Sequence, residues 1–276
     1  MPLEPGLYVT ATPIGNLKDV TFRALEVLGE ADAIACEDTR TTARLLSAHG
    51  LKTTLVPYHD HNAEAARPKL LARIAAGEAV ALVSDAGTPL ISDPGYKLVR
   101  EARERGFKVV AIPGASALTA ALSIAGTPTD RVLFAGFPPA RAGARAAFFK
   151  ELAGVQATLV FYEGPSRLGA SLAAMAAAFG DRRAVVAREL TKMYEETVGG
   201  ALSELAARYA EAPPKGEIVV LVEPPAENAG AVDLDAALRA AMAEMSLKDA
   251  AAAAAEAAGV PRRTAYARAL QLKGGV

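Results

Sequence analysis

The side chains with the most obvious chemistry are crowded into residues 84–95, where Ser84, Asp85, Thr88, Ser92 and Asp93 share twelve positions with two glycines and two prolines. Carboxylates and hydroxyls at that density suit hydrogen bonding to a small polar molecule. Gly and Pro impose a tight, irregular backbone path on which they are displayed. Four shorter stretches have the same character: residues 13–16 (Pro-Ile-Gly-Asn), 37–40 (Glu-Asp-Thr-Arg), 113–117 (Pro-Gly-Ala-Ser-Ala) and 163–167 (Glu-Gly-Pro-Ser-Arg). No G-x-G-x-x-G follows the first apolar run and no G-x-x-x-x-G-K-[ST] occurs, so the common phosphate-cradling loops do not account for them. Residues 114–118 lack the second glycine of a nucleophile elbow, and three histidines in the whole chain leave little material for a Ser-His-Asp triad. His59 and His61 alternate along one local face, but without Cys or a further His beside them they read as a polar loop lining a cleft, and no metal is expected.

Every one of these loops follows an apolar run, and the runs give the positioning elements. Residues 7–12, 33–36, 53–58, 79–83 and 108–112 read as strands, and amphipathic segments separate them; Asp19 is the expected cap of the first helix, which runs through residue 28. Residues 79–83 are apolar throughout, the pattern of a parallel strand covered on both faces. Alternating strands and helices predict a mostly parallel sheet with right-handed crossovers, and ligands bind at the carboxyl ends of such strands. The pattern breaks at residues 113–118 and restarts at 132–137. Runs at 158–162, 184–188, 196–198 and 217–222 follow, with fewer helices between them, which predicts a second α/β unit with a partly antiparallel sheet. After a Pro-rich linker at 224–230, segments 233–245, 246–258 and 261–272 read as helices, the last two separated by Gly259-Val260 in a helix-turn-helix pattern. The expected organisation is an α/β fold: an N-terminal domain over 1–116, a second domain over 117–225 and a helical extension over 226–276.

Composition narrows the partners. A net charge of −1 gives no global preference for nucleic acid or an anionic membrane, so any such preference belongs to local patches. From residue 246 onward, five basic residues (Lys248, Arg262, Arg263, Arg268, Lys273) face two acidic ones, a local +3, and Arg262 and Arg263 occupy a first helical turn where the macrodipole disfavours cations. The single cysteine and the lack of an apolar run of about 18 residues point to a soluble, cytoplasmic protein with no membrane association.

The order of residues 84–95, Ser-Asp-Ala-Gly-Thr-Pro-Leu-Ile-Ser-Asp-Pro-Gly, resembles the signature of the tetrapyrrole methylase superfamily in its branch that methylates ribose 2'-hydroxyls of small-subunit ribosomal RNA. Residues 11–17, 37–40, 113–117, 161–168 and 188–192 carry supporting matches, so the resemblance extends over essentially the whole chain. It implies two α/β domains of the class III methyltransferase type with S-adenosylmethionine folded in the cleft between them, and a homodimer. Carried over residue by residue, the cofactor contacts are Pro13, Ser84, Asp85, Gly87, Thr88, Ser116, Ala117, Tyr162, Glu163 and Thr191; Glu163 departs from the Met that tetrapyrrole methylases often carry there. The implied reaction is 2'-O-methylation of a cytidine in the decoding (P-site) region of 16S rRNA in the 30S subunit. Asp38 or Asp85 is the candidate base, and Arg40 or Lys192 the candidate stabiliser of the developing alkoxide. The alternative for Asp38 and Arg40 is an ion pair with each other. RNA contacts are expected from Arg141 and Arg145 in the loop after Pro138-Pro139, Arg167, Arg182, Arg183, Arg262, Arg263 and Arg268, with no affinity for DNA. Two other readings stay open at this point: a tetrapyrrole C-methyltransferase, and a non-catalytic RNA-binding assembly factor.

Overall fold

The computed structural model describes residues 3–92, 95–226, 234–258 and 260–274. Asp93, Pro94, Gly259, most of the 224–230 linker and Asp233 therefore lie outside the described residues.

Five strands, β1 (Gly6–Thr10), β2 (Ala33–Cys36), β3 (Leu55–Pro57), β4 (Ala79–Val83) and β5 (Val109–Ile112), form one sheet in the order β3-β2-β4-β1-β5. All four pairings are parallel, as the unbroken apolar runs predict. Helices α1 (Phe22–Glu30) and α2 (Thr39–Ala48) cover one face through Ala24, Val27, Leu28, Leu45 and Leu46. Helices α3 (Ala63–Ala75) and α4 (Tyr96–Glu104) cover the other through Leu70, Leu71, Ile74, Leu98 and Ala102. The connections leaving the neighbours β1 and β4 thus diverge to opposite faces, and that divergence opens a crevice at their carboxyl ends. Helix α1 is capped by Thr21, whose hydroxyl accepts from the Ala24 N–H at 3.1 Å, and not by Asp19. Asn16 caps a short 3-10 turn at Leu17–Asp19, so the chain passes through extended Val20 before the helix begins.

Strands β6 (Val132–Phe134), β7 (Thr158–Glu163), β8 (Arg183–Arg188), β9 (Glu196–Ala201) and β10 (Ile218–Val222) make the second sheet in the order β6-β7-β10-β8-β9. Only β6 and β7 are parallel, so the expected mixed sheet is present. The expectation of few helices is not met. Helices α5 (Ala117–Ala125), α6 (Ala142–Leu152), α7 (Leu168–Phe179) and α8 (Leu202–Glu211) accompany this sheet. Strand β10 is buried along its length: Ile218, Val220 and Val222 face the core built by α6, α7 and α8, while Val219 and Leu221 face α5. Ile14, from the loop after β1, packs into that second cluster and ties the two sheets together.

The tail folds as α9 (Leu234–Glu244), α10 (Leu247–Ala258) and α11 (Arg262–Gly274) around Leu238, Ala251, Ala254, Ala255, Ala265 and Ala269. Alanine on facing helices lets their backbones approach closely, which is how so small a unit buries a core of its own.

Candidate methyl-transfer site

The polar loops converge because they are laced to one another. Thr12 and Gly87 exchange backbone hydrogen bonds of 2.9 and 3.0 Å, and the Thr12 hydroxyl donates to the Ser84 carbonyl at 3.3 Å. The Thr88 hydroxyl donates to the Ala115 carbonyl at 3.1 Å, fixing the β4 loop to the β5 loop. Gly87 lies at φ +80, and a Cβ there would meet Ile14 Cγ2 at 3.2 Å, so its backbone sits directly against the cleft wall.

Two cavities result. The first, of about 370 Å³, lies between the two sheets and falls within the roughly 300–1,000 Å³ of small-molecule sites. Asp85, Gly87, Thr88, Ser116, Ala117, Tyr162 and Glu163, all expected from the sequence, line it together with Ile14, Phe137, Leu190, Glu217 and Val219. Phe137 and Tyr162 form an edge-to-face aromatic wall with centroids 5.5 Å apart. Ser116 and Ala117 open α5, so the amino end of that helix faces the cavity. The second cavity, of about 600 Å³, is bounded by Pro13, Gly15, Thr41, Thr42, Arg44, Ser84 and Lys192. Ile14, Asp85, Ala86 and Glu217 line both, so the two spaces meet at the Asp85 wall.

Asp85 Oδ1 accepts the Asp38 backbone N–H at 2.9 Å, leaving Oδ2 for another donor. Asp38 is fully committed. It caps α2 by accepting the Arg40 N–H and grips the Arg40 guanidinium with both oxygens, at 3.1 Å to Nε and 2.7 Å to Nη2. Those bonds hold its carboxyl down at about 2, so of the two expectations for Asp38 the structure shows the pair with Arg40. Arg40 is correspondingly a rim residue paired to Asp38, with 88% of its side chain exposed. Burial pushes the neighbouring Glu37 carboxyl up, helped by the negative charge of Asp85.

Lys192 stands across the second cavity. Its ammonium bonds Glu189 Oε1 and Glu217 Oε2, each at 2.9 Å, and its stem lies over Gly15. Burial pulls its pKa down, but the two carboxylates outweigh that and hold the ammonium charged. Thr191, at φ +66, lies between Leu190 of the first cavity and Lys192 of the second; its hydroxyl oxygen is buried with no hydrogen-bond partner among the described residues.

Glu163 turns inward. Its carboxylate accepts from the Ser171 hydroxyl and the Gly164 N–H and pairs with Arg167 at 2.6 Å, so it braces the 164–167 turn instead of offering oxygens to a ligand. Arg145 is corrected too: it lies in α6, only 8% exposed, with its guanidinium on the Ala140 carbonyl, and is not a loop cation free to meet a phosphate. Arg182 is likewise turned to protein, bonding the Phe179 and Ala153 carbonyls, and Arg183 pairs with Glu223. Arg268 is held by Asp235 at 2.7 and 2.6 Å within the tail, whereas Arg141, Arg262 and Arg263 are exposed. Arg44 of the second cavity, Phe137 and Gly216 of the first and Glu217 of both were not foreseen. Phe137 and Glu217 stand at strand ends that the apolar pattern does reveal.

The model of the tetrapyrrole (corrin/porphyrin) methylases matches residues 6–206. The chain belongs to that family. Within it, a second model, the RsmI C-terminal HTH domain, matches residues 228–273. This methylase is 51% identical over 275 residues to the ribosomal RNA small subunit methyltransferase I of Mesorhizobium japonicum, covering 99% of this chain and 94% of the relative. It is 48% identical to the protein of the same name from Escherichia coli O157:H7, covering 97% and 96%. Among solved structures, the uroporphyrin-III C-methyltransferase of Thermus thermophilus, complexed with S-adenosylhomocysteine, superposes with a TM-score of 0.56 at 21% identity, covering 78% of this chain and 96% of that one.

Proposed function

We propose that this methylase transfers a methyl group from S-adenosylmethionine to the ribose 2'-hydroxyl of a cytidine in the decoding region of 16S rRNA, acting on the 30S subunit. The observation that carries the reading is similarity of 43–51% to proteins named ribosomal RNA small subunit methyltransferase I, which for most of them spans nearly the full chain, together with a C-terminal module matched in its own right. A tetrapyrrole C-methyltransferase has no evident use for that module.

The first cavity fits the cofactor. Its apolar and aromatic wall suits an adenine ring, Asp85 and Glu217 suit hydroxyls and a cationic sulfur, and the amino end of α5 suits a carboxylate. Gly87 keeps the wall free of a side chain, and the buried, unpartnered Thr191 hydroxyl is a donor without a partner at its margin. When bound, S-adenosylmethionine supplies an already activated sulfonium methyl group.

The residues of the chain then have to orient the acceptor and handle one proton. The second cavity receives the nucleotide, since it opens onto the first along Ile14, Asp85, Ala86 and Glu217. Asp85 Oδ2 accepts the proton of the 2'-hydroxyl, and Oδ1 stays anchored on the Asp38 N–H so that the carboxylate cannot turn away. Lys192 Nζ, held charged by Glu189 and Glu217, faces the oxygen as negative charge develops on it. Most of the acceleration would come from the chain's residues holding the acceptor hydroxyl against the methyl donor where the two cavities meet. RNA affinity comes from Arg141, Arg262 and Arg263 meeting phosphates, while Arg167 stays on Glu163 and the Pro138 carbonyl and Arg268 shapes the tail. The enzyme works as a homodimer in the cytoplasm.

Asp85→Asn tests the assignment. It should leave S-adenosylmethionine binding measurable by calorimetry, weakened by the lost charge, and abolish measurable turnover at saturating cofactor on 30S particles lacking the modification; turnover near that of the unaltered enzyme removes Asp85 as the base.

A further inference from the structure

A separate recess of about 390 Å³ lies on the second sheet, beside but outside the two cavities of the transfer site. Its floor is Tyr209, Ala212 and Pro214, and its rim is Arg188, Tyr194, Glu196, Arg208 and Lys215. Tyr194 stands 69% exposed on a surface loop, with its ring open to a flat partner. Tyr209 is 5% exposed, its hydroxyl makes no hydrogen bond among the described residues, and the Arg208 guanidinium lies over its ring at 5.7 Å.

The charges are arranged for an anion. Glu196 is the only carboxylate on the rim and is already bridged, by Arg188 at 3.1 Å and Arg208 at 3.3 Å. That leaves the recess with a net +2, and the exposed Lys215 ammonium makes no ion pair among the described residues. The recess is also tied to the acceptor cavity twice over. Tyr194 is two residues from Lys192, and Lys215 is two residues from Glu217. Two residues of chain span at most about 7 Å, so the recess lies within reach of a strand whose nucleotide sits in the acceptor cavity.

We propose that the recess takes an unstacked nucleobase of the RNA strand flanking the methylated nucleotide, with Tyr194 as its stacking surface and Lys215 meeting the adjoining phosphate. An apolar floor, an exposed aromatic and a cationic rim are what sequence-tolerant recognition of single-stranded RNA uses. A second copy of the chain is the less suitable occupant, because with the twofold axis at the recess its net positive charge would face itself. The inference rests on the rRNA-methyltransferase reading and adds a binding site to it.

The test uses the full-length protein, S-adenosylmethionine and 30S particles lacking the modification. Tyr194→Ala should raise the KM for particles about 5- to 150-fold, the equivalent of the roughly 1–3 kcal/mol of base stacking, with kcat and cofactor affinity little changed. Tyr194→Phe should restore the KM. Lys215→Gln should lower the slope of log affinity against log salt by about one. An unaltered enzyme that neither binds nor methylates the particles overturns the rRNA reading and this site with it. An active enzyme with unchanged KM in Tyr194→Ala and unchanged slope in Lys215→Gln overturns this site alone. So does a Tyr194→Ala protein that sediments at half the mass of the unaltered one, which makes the recess an interface between copies.

Discussion

Gly15 offers a way to move Lys192 without removing it. A Cβ at position 15 would stand 2.5 Å from Lys192 Cγ and 2.7 Å from Cε, with the backbone of Gly15 itself outside the left-handed region. Ordinary contact begins at 3.4 Å, so in Gly15→Ala the lysine stem has to retreat by about 0.9 Å. The stem is flexible and 26% exposed, so the fold should survive with little loss of stability. Its ammonium, however, is fixed by two 2.9 Å bonds to Glu189 and Glu217, and a retreat of that size strains both. Misplacement of a catalytic group by about 1 Å can cost on the order of 100-fold in rate. Gly15→Ala should therefore lower single-turnover methyl transfer about 100-fold at saturating cofactor and particles. Cofactor affinity should hold, because neither Gly15 nor Lys192 lines the first cavity. Lys192→Ala should lose at least as much, and the double variant no more than Lys192→Ala alone, because the glycine acts only through the lysine. A Gly15→Ala rate within twofold of the unaltered enzyme, or losses that add in the double variant, would refute the placement of Lys192 at the reacting oxygen.

Other expectations follow from the same geometry. Asp38→Asn keeps a capping side chain and loses the Arg40 pair, so methyl transfer should stay within tenfold; a loss beyond 100-fold would reinstate Asp38 as the base. Because its carboxyl is depressed to about 2 in the folded protein, the stabilisation it gives is present above about pH 4 and is lost as pH falls through 2, and acid unfolding of Asp38→Asn should lack that component. Glu163→Gln leaves Arg167 without its buried partner and disturbs the bonds to Ser171 and Gly164; a cost of about 2 kcal/mol lowers Tm by about 4–8 °C in calorimetry, with a weaker grip on the cofactor. Arg262→Gln with Arg263→Gln should lower the salt slope of 30S binding by about two at unchanged Tm, whereas Arg268→Ala, which breaks the bond to Asp235, should loosen the tail as seen by hydrogen exchange.

Much of this was legible in the residues. Strand β4 is apolar at all five positions and buried at all five, and the polar stretch behind it forms a wall of both cavities. The parallel sheet followed from runs of this kind, since a strand covered on both faces has no polar side to alternate. The helices of the second half were harder to read because Ala-rich segments such as α5 and α7 show little polar-apolar contrast, and their burial is decided by the sheet they land on. Arg145 read as a loop residue for that reason. The resemblance implied a cofactor contact at Glu163 and a candidate base at Asp38, yet short-range partners, Arg40 two residues on and Ser171 eight residues on, had already claimed both carboxylates. The meeting of Phe137, Glu217 and Arg44 with loops far away in the chain is a property of sheet order, which no local pattern carries.

The central claim is tested most directly by transfer of a labelled methyl group from S-adenosylmethionine onto 30S particles lacking the modification, followed by mapping of the nucleotide and of the atom that carries the label. The account predicts one methyl per particle on the ribose 2'-oxygen of a cytidine in the decoding region. A label on a base atom, on a nucleotide elsewhere, or on a tetrapyrrole offered in place of the particles would contradict it.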